Sequence, residues 1–483
     1  MPGRTRSRRR GVLRPVAWGA VALGARSTAA LAGTGGVVAT ANVPAPPTGA
    51  RLTTSLLSPR RLPEWIVSTV AAQRLQATLG GILSPARLGT AADLSCVVVT
   101  QDGVTRAAVN PSMPVVPASN MKVITASVVF DKLGTTASFT TTLSSAGTVT
   151  AGVLGGDLYL VGGGDPVLRT AGYSAALPDG NGVFTDVAKL ASQLRALGIT
   201  QVDGNVVGDE SRYDAARTIP SWLARYRAEG DVGPLSALDI NDGFLGQDKG
   251  VAAGASPPVA AAQFFVTLLA QAGIKVTGAG VAGVAPADAR TLTALSSPPL
   301  SDVVGEVLGE SDDTGAELAV KELGYRFGGG GSSAAGLGVI RSDLAATGVP
   351  LDGVVINDGS GLDVGDRLTC GTVAAVLNRA GPAGALAAAL PIAGESGTLH
   401  ARLIGTPAAG RVMAKTGTLL GVSALSGFVQ PAPLVFSLIL NGLAQNEAGT
   451  ETGVAVGDQV ALSLAAFPMT PAAASLGPLP VTP

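Results

Sequence analysis

Apolar residues recur at helical spacing between positions 64 and 83 (Trp65, Ile66, Val70, Leu75, Leu79), which predicts an amphipathic helix. Two β-branched runs, 94–100 and 104–109, flank Gln101-Asp102-Gly103, and an Asp-Gly pair between such runs predicts a hairpin. The apolar run 123–130 predicts a helix that stops near Leu133-Gly134, glycine being the usual terminator. From about 139 to 300 the pattern changes to short strand-like runs divided by glycine turns, at 156–166, 202–209 and 274–284. Helices over 186–197 and around 260–272 break those runs, and the section reads as an inserted α/β module. Helical spacing returns at 300–308, 314–323, 335–346 and 369–380. Three β-rich runs follow, 411–415, 422–429 and 434–440, then a helix from about 452 to 466. Strands early and late around central helices predict one α/β domain split by the insert. The expected organisation is therefore an N-terminal segment 1–43, a split domain 44–138 plus 300–467, an inserted module 139–299 and a Pro-rich tail 468–483.

At 483 residues the chain can bury a large core and is long enough for two or three domains. It is rich in small residues, with 66 Gly, and only 14% of positions are charged. A net charge of -1, with no basic patch interleaved with aromatics, gives no sign of a nucleic-acid partner. The N-terminus departs from the rest. Arg4, Arg6, Arg8, Arg9, Arg10 and Arg14 form a basic head, an apolar run spans 16–25, and small residues end near Ala39-Thr40-Ala41. That order matches a secretory signal. Arg26 interrupts the apolar run, which falls short of the ~20 residues a spanning helix needs. Export is expected, with the segment either cleaved or kept as an N-terminal membrane anchor. Residues 44–63 read as a Pro/Ser-bearing linker.

Cys96 and Cys370 fit an oxidising compartment if they pair, and sequence leaves a disulfide and two buried thiols equally open. His400 is the only histidine, so a multi-histidine zinc site is excluded, and neither cysteine lies in a metal-ligand pattern. No metal or cofactor is expected. No Gly-x-Ser-x-Gly elbow occurs. Gly278-Ala279-Gly280-Val281-Ala282-Gly283 fits a dinucleotide fingerprint by letter, but Pro286 and a strand-like run follow where a helix is required.

The chemistry centres on Pro117-Ala118-Ser119-Asn120-Met121-Lys122. Ser119 at the start of the helix reads, alone, as an N-cap. Lys122 is the only one of seven lysines with a serine three residues before it. On a helix those positions share a face, so its ammonium lies beside the hydroxyl, one way of activating a weak nucleophile. Lys415-Thr416-Gly417-Thr418, at the end of a strand-like run, offers a cation for a carboxylate, a hydroxyl, and a glycine that lets a peptide backbone approach the strand edge. Backbone N–H groups of Thr418 and Ser119 are candidate oxyanion donors. Glu310-Ser311-Asp312-Asp313 precedes a predicted helix; Ser311 could relay a proton, and Ser311 or Asp313 could simply cap that helix.

In the order Ser-x-x-Lys, Ser-x-x, Lys-Thr-Gly these pieces form the signature of penicillin-recognising serine enzymes. The chain resembles the D-alanyl-D-alanine carboxypeptidase/endopeptidase family, the class C penicillin-binding proteins. The likeness extends to Gly156-Asp157-Leu158-Tyr159-Leu160-Val161-Gly162-Gly163-Gly164-Asp165-Pro166, to Asp358-Gly359-Ser360-Gly361-Leu362 and to Gly397-Thr398-Leu399. It implies a transpeptidase-like serine hydrolase domain, an antiparallel sheet with helices, interrupted by the insert. It implies Ser119 as the acylated nucleophile, Lys122 as its base, Ser311 as proton relay, and Asp313, Lys415, Thr416, Gly417 and Thr418 as substrate-binding residues. Peptidoglycan stem peptides would be the substrates and β-lactams covalent inhibitors. The family has asparagine where this chain has Asp313. An ionised aspartate only accepts hydrogen bonds and favours the charged form of Lys122, which must be neutral to act as base. Slow acylation at neutral pH is the expectation, with a wall-binding protein that has lost catalysis, or a Ser-x-x-Lys β-lactamase or esterase, as the alternatives.

Overall fold

The Asp-Gly pair turns the chain where the pattern requires it. Strands Ser95–Gln101 and Val104–Val109 are joined by Asp102 and Gly103, at φ of 51° and 73°, the left-handed pair a type I′ hairpin needs. This hairpin is one end of a five-stranded antiparallel sheet. Its order is Val412–Leu419, Val422–Val429, Leu434–Leu440, Ser95–Gln101, Val104–Val109, so the two ends of the sequence share one sheet. The computed structural model describes residues 64–180, 182–244 and 256–468, all falling in one compact unit. The basic head, the linker and residues 469–483 lie outside the described residues. Among described helices, none is long and apolar enough to cross a membrane.

Strand side chains alternate between two cores because successive Cβ atoms point to opposite faces. Val97, Val99 and Leu438 pack with Leu75 and Leu79 of helix Glu64–Ile82 and with Val460 and Leu464 of helix Glu447–Ala465. The buried stripe of the first helix runs Ala71, Leu75, Leu79, Ile82, while Val70, expected on it, is exposed. Cys96, Val98 and Ile439 face the other way, onto helices Met121–Leu133 and Cys370–Ala380. Residues 121–129 of the first of these are buried without a break, so this helix runs through the middle of the domain. The cysteines are paired: Cys96 of the first strand is bonded to Cys370 at the start of helix Cys370–Ala380.

Both sheet edges carry covers. On Val104–Val109 the side-chain amide of Gln76 accepts from Ala108 N–H at 2.8 Å and donates to Ala108 C=O at 3.0 Å. On Val412–Leu419 the segment 391–393 takes the first half of the edge, with Ala414 N–H on Pro391 C=O and Ala393 N–H on Val412 C=O, each 2.9 Å. The sequence placed Lys415 at the end of this strand; the strand instead runs on to Leu419, because the turn comes only at Leu420-Gly421.

Between Thr140 and Ser296 the chain builds a second five-stranded sheet, ordered Gly280–Ala282, Val206–Asp209, Leu158–Val161, Thr140–Ser145, Arg290–Ser296. Its first three strands are parallel and the last two join antiparallel. Leu143, Leu160, Leu190 and Phe265 form a separate core here. Of the fingerprint-like glycines, Gly280 serves helix-on-sheet packing: a Cβ there would meet Gln263 N of helix Pro257–Gln271 at 2.4 Å, whereas one on Gly278 would meet Gly204 C=O and one on Gly283 the Val207 side chain.

Candidate active site

Ser119 lies in a short 3-10 turn, Ala118–Asn120, that feeds helix Met121–Leu133. Pro117 and Ala118 set this turn, and Ala118 takes φ of 47°, a left-handed conformation costing a non-glycine residue roughly 1–3 kcal/mol. The turn is pinned by its neighbours. A Cβ on Gly361 would sit 1.9 Å from Ala118 C=O, and one on Gly417 would meet Asn120 Nδ2 at 2.9 Å and Pro117 C=O at 3.1 Å. Gly417 therefore makes room first for the chain's own Ser119 turn, where the sequence suggested room for substrate.

Lys122, one helical turn on, is 1% exposed. Its Nζ donates to Ser119 Oγ at 3.1 Å, to Ser360 C=O at 2.8 Å and to Asp313 Oδ1 at 2.5 Å. The three donors of an ammonium thus have three acceptors. Asp313 opens helix Asp313–Phe327, and the cap is neither of the residues the sequence offered: Asp312 Oδ1 accepts from Gly315 N–H at 3.0 Å. Burial pushes the Asp313 carboxyl up to about 6, against the pull of Lys122 and with help from Asp312 and Asp358.

Ser311, at φ of 57°, turns its Oγ to Lys415 Nζ, 2.9 Å away. Lys415 is fully buried, and burial together with the neighbouring Lys122 charge holds its ammonium well below the ordinary lysine range, partly opposed by Asp313 and Asp179. A bound carboxylate would restore that charge. Thr416, the next residue on the strand, donates its hydroxyl to Thr398 Oγ1 at 2.9 Å, and its C=O accepts from Lys415 Nζ at 3.0 Å. Thr418 is exposed on the half of the strand edge that segment 391–393 leaves open. A cavity of about 520 Å³ lies beyond it, lined by Tyr226, Val364, Leu419 and Val422 among others.

Ser119, Lys122 and Asp313 thus form one contact group and Ser311 with Lys415 another, near enough for the Lys122 and Asp313 charges to act on Lys415, with Thr416, Gly417 and Thr418 further along the same strand. Several supporting residues have no signature of their own. Asn120, fully buried, donates Nδ2 to Lys415 C=O at 3.4 Å and ties the Ser119 turn to the strand. Ser360 and Thr398 fall in the family-like stretches, which flagged them without a role. Glu317 Oε1 accepts from both Gly359 N–H and Ser360 N–H at 2.8 Å, fixing the carbonyl that holds Lys122. Burial and nearby Asp358 push the Glu317 carboxyl up to about 8. From the 139–299 section, Arg169 donates to Glu306 at 3.0 Å and to Asp312 Oδ2 at 2.9 Å, gripping the loop that carries Ser311.

Among known proteins, the model of the D-Ala-D-Ala carboxypeptidase 3 (S13) family matches residues 75–251 and 247–462. The chain is 28% identical over 434 residues to a D-alanyl-D-alanine carboxypeptidase of Actinomadura sp. (strain R39), covering 73% of this chain and 77% of that one. It is 30% identical over 347 residues to carboxypeptidase DacB of Mycolicibacterium smegmatis, covering 68% and 72%. In fold it is similar to penicillin binding protein 4 (dacB) from Haemophilus influenzae, with a TM-score of 0.66 at 22% identity, covering 80% of this chain and 98% of the other.

Proposed function

Because the chain belongs to the D-Ala-D-Ala carboxypeptidase 3 (S13) family, we propose that it hydrolyses D-alanyl-D-alanine bonds of peptidoglycan stem peptides through an acyl-enzyme on Ser119. The observation that carries this is the contact of Lys122 Nζ with Ser119 Oγ at 3.1 Å, with the Lys415–Ser311 pair on the neighbouring wall. Lys122 as a neutral amine takes the Ser119 proton while Oγ bonds to the penultimate D-Ala carbonyl carbon. Charge developing on the carbonyl oxygen is met by the N–H groups of Ser119 and Thr418. The C–N bond then breaks, Ser311 passes a proton to the leaving amine, and terminal D-Ala departs. Water attacks the ester and frees Ser119. Lys415 and Thr416 hold the substrate carboxylate. The peptide lies along the open half of the strand edge, Thr416 to Leu419, by strand addition.

Penicillin would acylate the same serine. Intact-mass measurement after penicillin exposure should show one persistent adduct, absent from Ser119→Ala. No adduct on wild type at any pH up to about 9, below the ordinary lysine value of ~10.4, would overturn the reading. It would favour a wall-binding protein that has lost catalysis, a second reading that rests on the 2.5 Å Lys122–Asp313 contact. Rapid turnover of penicillin without an adduct would instead mark a β-lactamase. The substrate class and the basic, apolar and small-residue order of the N-terminus support an extracytoplasmic enzyme, its leader cleaved or kept as an anchor.

A further inference from the structure

At the carboxylate-binding end of the cleft a loop of the insert bridges two walls of the site. Asp179 N–H donates to Glu310 Oε1 at 2.6 Å, next to Ser311, and a Cβ on Gly180 would meet Glu306 and Glu310 at 2.8 and 3.2 Å. On the other side Asp179 Oδ1 is 2.9 Å from His400 Nδ1, two residues past Thr398, the partner of Thr416. His400 Nδ1 is also 3.0 Å from Gly397 C=O. Both neighbours only accept, so Nδ1 carries the hydrogen and the contact holds with a neutral imidazole. Asp179 also lies near enough to Lys415 to favour that ammonium's charge. Asp179 and Gly180 thus span the gap between the Ser311 loop and the Thr398 turn. With the terminal carboxylate held at Lys415 and Thr416, as proposed above, a chain extended past the terminal D-Ala would have to leave past this loop.

We infer that the Asp179–His400 contact closes the leaving-group end of the cleft, so that removal of a terminal residue is favoured over cleavage before a longer leaving group. The inference rests on the carboxypeptidase reading above and assigns Asp179 and His400 as specificity-determining residues outside the acyl-transfer machinery. The contact is partly exposed, with His400 at 53%, so its removal should change a ratio and not abolish activity.

The test uses the full chain, a tripeptide ending in D-Ala-D-Ala, and the same peptide extended by two glycines past the terminal D-Ala. His400→Ala and Asp179→Ala should each raise the extended-to-unextended ratio of kcat/KM by about two- to fivefold, the range a partly exposed contact supports. The double variant should rise no further than the larger single one. Asp179→Asn, which keeps an oxygen for His400 Nδ1–H, should leave the ratio at the wild-type value. Penicillin acylation of each variant reports a folded site. An unchanged ratio in either alanine variant, or a rise in Asp179→Asn, overturns the closure. A wild-type protein that penicillin acylates but that cuts neither peptide overturns it as well. A protein that penicillin does not acylate fails the carboxypeptidase reading itself.

Discussion

Lys122 has three protons to place and three acceptors to receive them, and one of these acceptors is a carboxylate. At pH 7 Asp313, with its carboxyl near 6, is mostly ionised and holds the ammonium in the form that cannot accept the Ser119 proton. Acylation should therefore climb as pH rises above neutrality. Asp313→Asn removes the charge and should speed acylation by fluorescent penicillin roughly tenfold at pH 7, equivalent to about 1.4 kcal/mol of barrier. Its rate-pH profile should move to lower pH. An equal or slower rate at pH 7 would count against this role for the carboxylate. The contact of Ser119 with Lys122 was legible because residue types at fixed spacing carry it, and the motifs of Ser311 and of the Lys415-Thr416-Gly417 strand could be picked out in the same way. Asn120 and Glu317 were not legible. A lone amide or carboxylate has no partner in sequence, and each acts by holding a backbone group supplied from a distant segment.

Elements with a strong period were legible to within a few residues, including the hairpin, helix Met121–Leu133 and the three closing strands. Two-residue strands such as Gln201–Val202 and Lys275–Val276 were not, since two residues show no period. The cap of helix Asp313–Phe327 was misplaced by one residue because Ser311, Asp312 and Asp313 all have capping side chains. Only the fold reveals that Asp312 also faces Arg169. The cysteine pairing belongs to this scale too. It fastens the second-innermost strand to the helix packed on it, across 274 residues of sequence. Cys96→Ala with Cys370→Ala should lower stability by about 2–4 kcal/mol, most of it through a less constrained unfolded chain. Denaturant unfolding of the double variant would measure this, and an unmoved midpoint would mean that strand and helix need no such tie.

Across the whole molecule, one of the links between residues 139–299 and the Ser311 loop is a buried cation. Arg169, fully buried, meets Glu306, Asp242 and Asp312 from the insert side of the Ser311 loop. Arg169→Met would leave buried carboxylates facing a thioether, a change that costs about 3–5 kcal/mol when one partner of a buried pair is lost. Melting temperature should fall, and penicillin acylation should slow as the Asp312 cap and the adjoining Ser311 lose their brace. A variant that melts and acylates like wild type would show the insert to be energetically separate. Nothing in the sequence singles out Arg169, because its meaning depends on three carboxylates brought from elsewhere in the chain. The two sheet margins have a consequence of their own. One is stoppered by Gln76 and the other by residues 391–393 along half its length. Unpaired strand margins are where copies of a protein template one another into fibrils. Here Gln76 and residues 391–393 shorten the backbone open to such growth, and the half-margin they leave on Val412–Leu419 is the one proposed above to take a wall peptide.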